Sequence, residues 1–263
     1  MTAKRFVGVF GLLLLVCGGF VGTASAQYSF GGDVAFASKY IWRGQRLTDD
    51  PVLQPSMTVG IGGFAFNAWG NMDLTTINPS FVTPDMQGRF SEIDYTFSYD
   101  ESLGDVSVGG GVIFYTFPDR FNTTTEIYGG VTFDSVLLAP SVTLYVDVDE
   151  TTAGGGTAGL YVLLGAGYTF ETGHDVVSGI DVSGTFAFVN SGFTSFYYGL
   201  TDVSGGHDAS ITASVPFVID DNWSASAFVT YSGLIGEDIR ASQYTGPDDA
   251  DTVWAGAAIS LSF

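Results

Sequence analysis

From Val253 to Phe263 the chain alternates. Val253, Ala255, Ala257, Ile259, Leu261 and Phe263 fall on one face of an extended strand, and Thr252, Trp254, Gly256, Ala258, Ser260 and Ser262 on the other. The same period of two recurs along the chain in segments of roughly ten residues, separated by turn chemistry. It predicts about twelve strands, near 28–43, 51–62, 64–75, 90–99, 105–117, 124–134, 136–149, 157–170, 176–189, 207–219, 222–233 and 252–263. An even number returns both termini to one side of a membrane, as closed bacterial barrels require.

The connections alternate in length. Those at 45–50, 76–89, 118–123, 150–156, 190–206 and 234–251 are mostly long. The others read Gly62-Gly63, Asp100 to Gly104, Asp134-Ser135, Glu171 to Asp175 and Asp220 to Asn222. Short turns on the periplasmic side and longer outer loops are the pattern of an outer-membrane barrel whose first strand runs outward.

Parity assigns the faces. In the first segment Phe30, Val34, Phe36, Tyr40 and Trp42 share one side, while Asp33, Lys39 and Arg43 share the other, and only the first set can meet lipid without burying charge. The fourth segment places Ile93, Tyr95, Phe97 and Tyr99 outward, with Glu92, Asp94, Thr96 and Ser98 inward. The seventh places Val142, Leu144, Val146 and Val148 outward, with Thr143, Tyr145, Asp147 and Asp149 inward. Tyr28, Trp42, Tyr99, Phe170, Trp223 and Phe263 stand near segment ends, where aromatic girdles meet the two interfaces.

The pattern therefore predicts an all-β fold, a transmembrane antiparallel up-and-down β-barrel of about twelve strands. The alternative is a soluble periplasmic sandwich or jelly roll, which would turn the apolar face into a core. Closure against lipid is favoured by the terminal aromatic, the asymmetry of the connections and an apolar face in nearly every strand.

Composition supports the membrane reading. Lys4 and Arg5, the apolar stretch Phe6 to Phe20 and the small-residue site Ala24-Ser25-Ala26 predict a secretory signal peptide over 1–26 and a mature barrel over 27–263. Cys17, the one cysteine, lies in the apolar stretch, and Val16 stands where a lipoprotein needs a small residue. The mature chain then has neither a disulfide nor a thiolate metal site. Lys4 and Arg5 are two of only eight basic residues, set against 28 acidic ones, which makes nucleic acid a poor partner. Beyond the leader there is no run of about 18 apolar residues, so helical membrane spans are excluded. The chain is nonetheless 15% aromatic and carries 36 glycines.

The stretches DVAFASKYIWRG (33–44), GGFAFNAWGNMDL (62–74), SEIDYTFSYD (91–100), FYTFPD (114–119), EIYGGVTF (126–133) and PSVTLYVDVDE (140–150), in that order, resemble the TorF-type porins, a group of bacterial outer-membrane proteins. The likeness covers about the first half of the mature chain; the second half matches only as alternating strands. The resemblance implies a closed barrel and a pore role, and it carries no catalytic residues across. Gly154-Gly155-Gly156 and the acidic connection 234–251 lie outside the matched segments.

The inward charges are the functional candidates. Asp33, Asp73, Glu92, Asp94, Glu126, Asp147, Asp149 and Asp181 have lumen parity, against Lys39 and Arg43. Carboxylates along a water-filled passage concentrate cations and repel anions. The expected function is passive diffusion of small hydrophilic solutes with a cation preference, in contact with outer-membrane lipid and lipopolysaccharide. The alternative is a non-conducting barrel whose outer loops bind a surface partner, its lumen filled by inward side chains such as Trp69, Tyr128, Tyr145 and Tyr161. Each acid can equally serve as a counter-ion across strands.

An enzyme is not expected, and no cofactor motif occurs. The mature chain offers only His174, in a turn, and His207, whose neighbours Asp208 and Ser210 both take the opposite parity. The acidic clusters at 147–150, 49–50 and 248–251 lack the spacing and glycine of a calcium loop, so no resident metal is expected. Divalent cations bridging such loops to lipopolysaccharide remain compatible with them.

Overall fold

The computed structural model describes residues 28–76, 86–118, 123–149, 157–243 and 249–263. The leader expected over 1–26 lies outside the described residues, as do 77–85, 119–122, 150–156 and 244–248 of the connections. The strands are β1 (Tyr28–Ala37), β2 (Tyr40–Trp42), β3 (Gln45–Thr48), β4 (Val52–Ile61), β5 (Phe64–Asp73), β6 (Phe90–Ser102) and β7 (Val106–Thr116). They continue as β8 (Thr123–Phe133), β9 (Ser141–Asp147), β10 (Gly159–Glu171), β11 (Gly179–Val189), β12 (Gly205–Val218), β13 (Trp223–Leu234) and β14 (Asp251–Ser262). Among the described residues, two helices interrupt the late connections, α1 (Ser191–Tyr198) and α2 (Glu237–Ala241).

Among the described residues, β1 and β4 to β14 close into one antiparallel barrel in which each strand pairs with its neighbours in sequence, and β2 and β3 form a separate hairpin. Closure is made by β1 on β14, with Ala35 opposite Ala258 and Gly31 opposite Ser262. The last residue completes it, since Phe263 N donates to Phe30 O at 2.9 Å and Phe30 N to Phe263 O at 3.3 Å. No edge strand is left at the seam, so no row of backbone donors and acceptors faces the apolar surroundings.

The predicted strands match the observed ones closely because alternation and turn chemistry agree at most boundaries. Two boundaries differ by five residues or more. The first segment, predicted to run through 43, ends at Ala37, and the alternation beyond it belongs to the β2–β3 hairpin. The segment predicted to begin at 136 begins at Ser141, because Leu138 and Ala139 take positive φ (68° and 39°) in a turn that follows Asp134.

Side-chain facing follows the parity. On β14 the outward Ile259 is 47% exposed and the inward Ser260 8%. On β9 Leu144 is 43% exposed and Thr143 4%. Phe30, Phe97, Phe114, Ile127, Ile211 and Val229 likewise present apolar surface around the outside. A soluble sandwich would bury this face, and an exposed apolar belt on nearly every strand is what a barrel presents to lipid. No helix among the described residues is long and apolar enough to cross a membrane.

Short turns close one end of the barrel. Gly62 takes φ +59° between β4 and β5, and Asp220 Oδ1 accepts from Asn222 N at 2.9 Å and Trp223 N at 2.8 Å between β12 and β13. The long connections gather at the other end, and the apolar cluster lies there, inside the barrel rather than between layers. It joins strand-end residues such as Ala37, Val52 and Val189 to Trp42 of the hairpin and Phe193 of α1.

Candidate functional site

The hairpin begins where β1 leaves the wall. Ser38 N still donates to Ala255 O at 2.8 Å, after which Tyr40, Ile41 and Trp42 are all buried. Arg43 (φ 48°) and Gly44 (φ 76°) form the two-residue connection to β3. Two consecutive positive φ values suit the twist of a tight hairpin, and only the second position carries glycine. Gly44 also has no room for a side chain, since an added Cβ would stand 2.7 Å from Asp208 Cβ and 2.9 Å from Leu234 Cδ2. The tip is therefore wedged against β12 and β13.

Arg43 anchors that tip. Its two terminal nitrogens donate to the two carboxylate oxygens of Glu126, each at 2.7 Å, and Tyr115 Oη donates to the same carboxylate at 2.8 Å. The guanidinium stacks 4.1 Å from the Tyr161 ring centre, 4.8 Å from Tyr145 and 4.6 Å from Trp42. A buried charge pair is tolerable when both partners are fully bonded, and this one adds cation–π contacts on several sides. The strain of a non-glycine residue at positive φ is held in place by these bonds.

Helix α1 packs against the hairpin. Asn190 caps it, its Oδ1 accepting from Phe193 N at 3.0 Å and from Leu160 N at 2.8 Å, so the cap also ties the helix to β10. Gly199 ends it in the left-handed region. Gly192 lets the helix approach the chain before β10, where a Cβ would stand 2.5 Å from Ala158 O. Phe193 then stacks on Trp42 with ring centres 6.4 Å apart, and Tyr197 lies 5.0 Å from the same ring. Tyr197 Oη donates to Asp147 at 2.9 Å, and Thr124 Oγ1 to the same carboxylate at 2.6 Å.

A second polar chain crosses the wall beside the tip. Tyr198 Oη lies 2.8 Å from His207 Nε2, His207 Nδ1 lies 2.6 Å from Asp208 Oδ1, and Tyr161 Oη donates to that oxygen at 2.9 Å. Strict alternation assigns His207 and Asp208 to opposite faces, and this expectation is corrected. Phe186 pairs with Ala209 and Phe188 with Gly206, so Ala187 stands opposite both His207 and Asp208 in a β-bulge. The extra residue brings both side chains to the buried side, so that Asp208 and Ser210, which share a parity, fall on the same face as His207.

The predicted lumen acids divide by depth. Glu92, Asp94, Glu126, Asp147 and Asp73 are all buried at the end that holds the hairpin. Glu92 accepts from Tyr40 Oη at 2.7 Å, and Asp73 accepts from Thr48 Oγ1 at 3.3 Å, so the hairpin is bonded to the wall along both of its strands. Asp33 and Asp181 sit in the half-buried polar interior toward the short turns, Asp181 accepting from Thr169 Oγ1 at 2.6 Å. Asn67, bonded there to Ser56 Oγ at 2.9 Å and Thr58 Oγ1 at 2.8 Å, belongs to the same polar lining.

Four assignments change. Lys39 is not on a barrel strand; it pairs with Asp49 across the base of the hairpin. Asp149 lies beyond the end of β9 and is exposed. Tyr40 and Trp42, assigned to lipid by continuing the first strand, are inside the barrel. Arg43 reaches the interior as expected, by way of the hairpin tip rather than the strand. Parity could not find α1, but Asn190 and Gly199 bracketing an aromatic-rich run are a readable cap-and-stop signal. His174 stays in an exposed turn, where its Nδ1 accepts from Val176 N at 3.1 Å. No group of three or more histidine, cysteine and acidic side chains suited to a metal ion occurs among the described residues.

The matching family model, described as "Bacterial protein of unknown function (Gcw_chp)", covers residues 22–245. The chain belongs to this family. No curated protein matches the sequence. Among solved structures, the Gcw_chp chain is similar to the NanC porin, with 12% identity and a TM-score of 0.54 over 88% of this chain and 98% of that one. It is also similar to the COG4313 outer membrane channel from Pseudomonas putida F1, with 9% identity and a TM-score of 0.52 over 94% of this chain and 100% of that one. At these identities the likeness is one of fold, a closed porin-like barrel.

Proposed function

We propose that this Gcw_chp protein is an outer-membrane channel of the porin type, in which small hydrophilic solutes pass down a narrowed lumen and cations are favoured over anions. The observation that carries the reading is the interior itself: a polar, acidic lining toward the short turns, with Asp33 and Asp181, and beyond it the hairpin and α1 packed inside the barrel around Arg43. The likeness of the first half to TorF-type porins and the fold shared with NanC and the COG4313 channel support the same role. Export through a leader cleaved after Ala26 and insertion with the long connections outward accompany it.

Cation preference follows from charge. Asp33, Glu92, Asp94, Asp181 and Asp208 lie inside with few basic residues to offset them, and Arg43 is occupied by Glu126. Carboxylates in a narrow passage act over roughly 8 Å at physiological salt. The reading assigns no catalytic role to His207, whose two ring nitrogens are taken by Tyr198 and Asp208, or to Ser210, which is bonded to Thr185. The test is the reversal potential in a salt gradient across a planar bilayer. Wild type should favour cations, and Asp33→Asn with Asp181→Asn should reduce that preference, most strongly at low salt. Unchanged selectivity in a conducting double variant would contradict the charge argument.

A further inference from the structure

Asp94 is the one residue whose carboxylate is buried with neither oxygen bonded, among the described residues. It stands on β6, opposite Trp69 on one side and Tyr115 on the other. The donors around it are committed elsewhere: Tyr40 to Glu92, Tyr115 to Glu126, and both terminal nitrogens of Arg43 to Glu126. An ionised carboxylate taken from water without a partner is among the least favourable arrangements in a protein, and such groups normally meet a counter-charge.

Asp94 instead opens on a cavity beneath the hairpin tip, with about 100 Å³ of space open to the centre of a water molecule. Trp69, Tyr145 and Tyr161 supply aromatic walls, and Asp208 gives a second carboxylate on the lining. Arg43 already shows what these rings accept, because its guanidinium stacks on Tyr161 and Tyr145. Aromatic faces with a converging carboxylate select a cation that carries both N–H donors and an apolar part. A bare metal ion fits less well, since no metal-ligating cluster is found among the described residues.

We infer that this cavity binds a small organic cation, a primary ammonium or a guanidinium, whose N–H groups bond the Asp94 carboxylate and whose carbon part lies against Trp69 and the tyrosines. The inference rests on the channel reading for the route by which the cation enters.

The experiment uses the full-length mature barrel in detergent, titrated with methylguanidinium and methylammonium at constant ionic strength set by sodium chloride, with binding read by calorimetry and tryptophan fluorescence. Saturable binding is expected in wild type and in Asp221→Asn, a change in the exposed turn between β12 and β13, with at least tenfold weaker binding in Asp94→Asn. The asparagine has nearly the shape of aspartate and removes a buried charge, so the barrel should fold, which heat-modifiable migration on gels checks. A second measurement needs no variant: tetramethylammonium, which lacks N–H groups, should bind wild type at least tenfold more weakly than methylguanidinium. Absence of saturable binding, equal binding by Asp94→Asn, or no discrimination against tetramethylammonium would overturn the assignment. A barrel that conducts in a bilayer but binds neither cation loses this site and keeps the channel. One that binds but never conducts keeps the site and loses the channel.

Discussion

Arg43 carries the narrowing of the barrel. It sits at positive φ on a hairpin tip and is bonded at two nitrogens to a carboxylate that is 1% exposed. Removing one partner of such a pair leaves an uncompensated buried charge, at a cost of about 3–5 kcal/mol. Arg43→Ala should therefore lower the unfolding temperature of the barrel markedly, and Arg43→Ala with Glu126→Gln should recover part of the loss, measured by thermal melts monitored by circular dichroism. If the single variant melted with wild type, the pair would not hold the hairpin. The sequence showed Arg43 as a lumen charge but not why it is one. Alternation through Tyr40 and Trp42 continues the period of β1, and a two-residue Arg-Gly connection is a weaker hairpin signal than Asn-Gly. The bulge at His207 and Asp208 was equally hidden, because a single inserted residue leaves no mark on composition and only inverts the parity before it.

At the scale of elements, the strands were the legible part. Each must place apolar side chains against lipid at every second position, and that requirement is written directly into β6, β9 and β14. The helix α1 was not legible by the same means, since its aromatic side chains fold into the lumen from a connection where no period of two applies. Facing on the strands can be tested by charge. Leu144→Arg and Val182→Arg place a cation toward the middle of the lipid belt and should destabilise the barrel by about 2–4 kcal/mol. Ser183→Arg, one position along β11 and inward, should cost much less because its side chain can stay in the polar interior. Equilibrium unfolding in urea with lipid vesicles measures the difference, and equal losses at Val182 and Ser183 would mean that the register of β11 is misplaced.

For the whole molecule, closure and narrowing are separate achievements of the chain. Closure depends on β14 meeting β1, with Phe263 bonded in both directions to Phe30. Deleting Phe263 should reduce the yield of folded, heat-modifiable barrel in the outer membrane while leaving precursor synthesis unchanged, and normal assembly of the shortened chain would show that the last residue adds nothing to closure. Narrowing depends on the hairpin. Tyr40, Arg43 and Thr48 bond it to Glu92, Glu126 and Asp73 on three different strands, so it behaves as part of the wall rather than as a loose outer loop. On the proposed channel reading, a constriction carried on one hairpin can be widened without disturbing the strands. Single-channel recording in a planar bilayer, comparing wild type with a variant in which residues 40–48 are replaced by a short glycine-serine link, tests this most directly. Wild type should show small, cation-favouring steps and the variant larger ones; silence from both, with the barrels shown to be folded and inserted, would contradict the account of this protein as a channel.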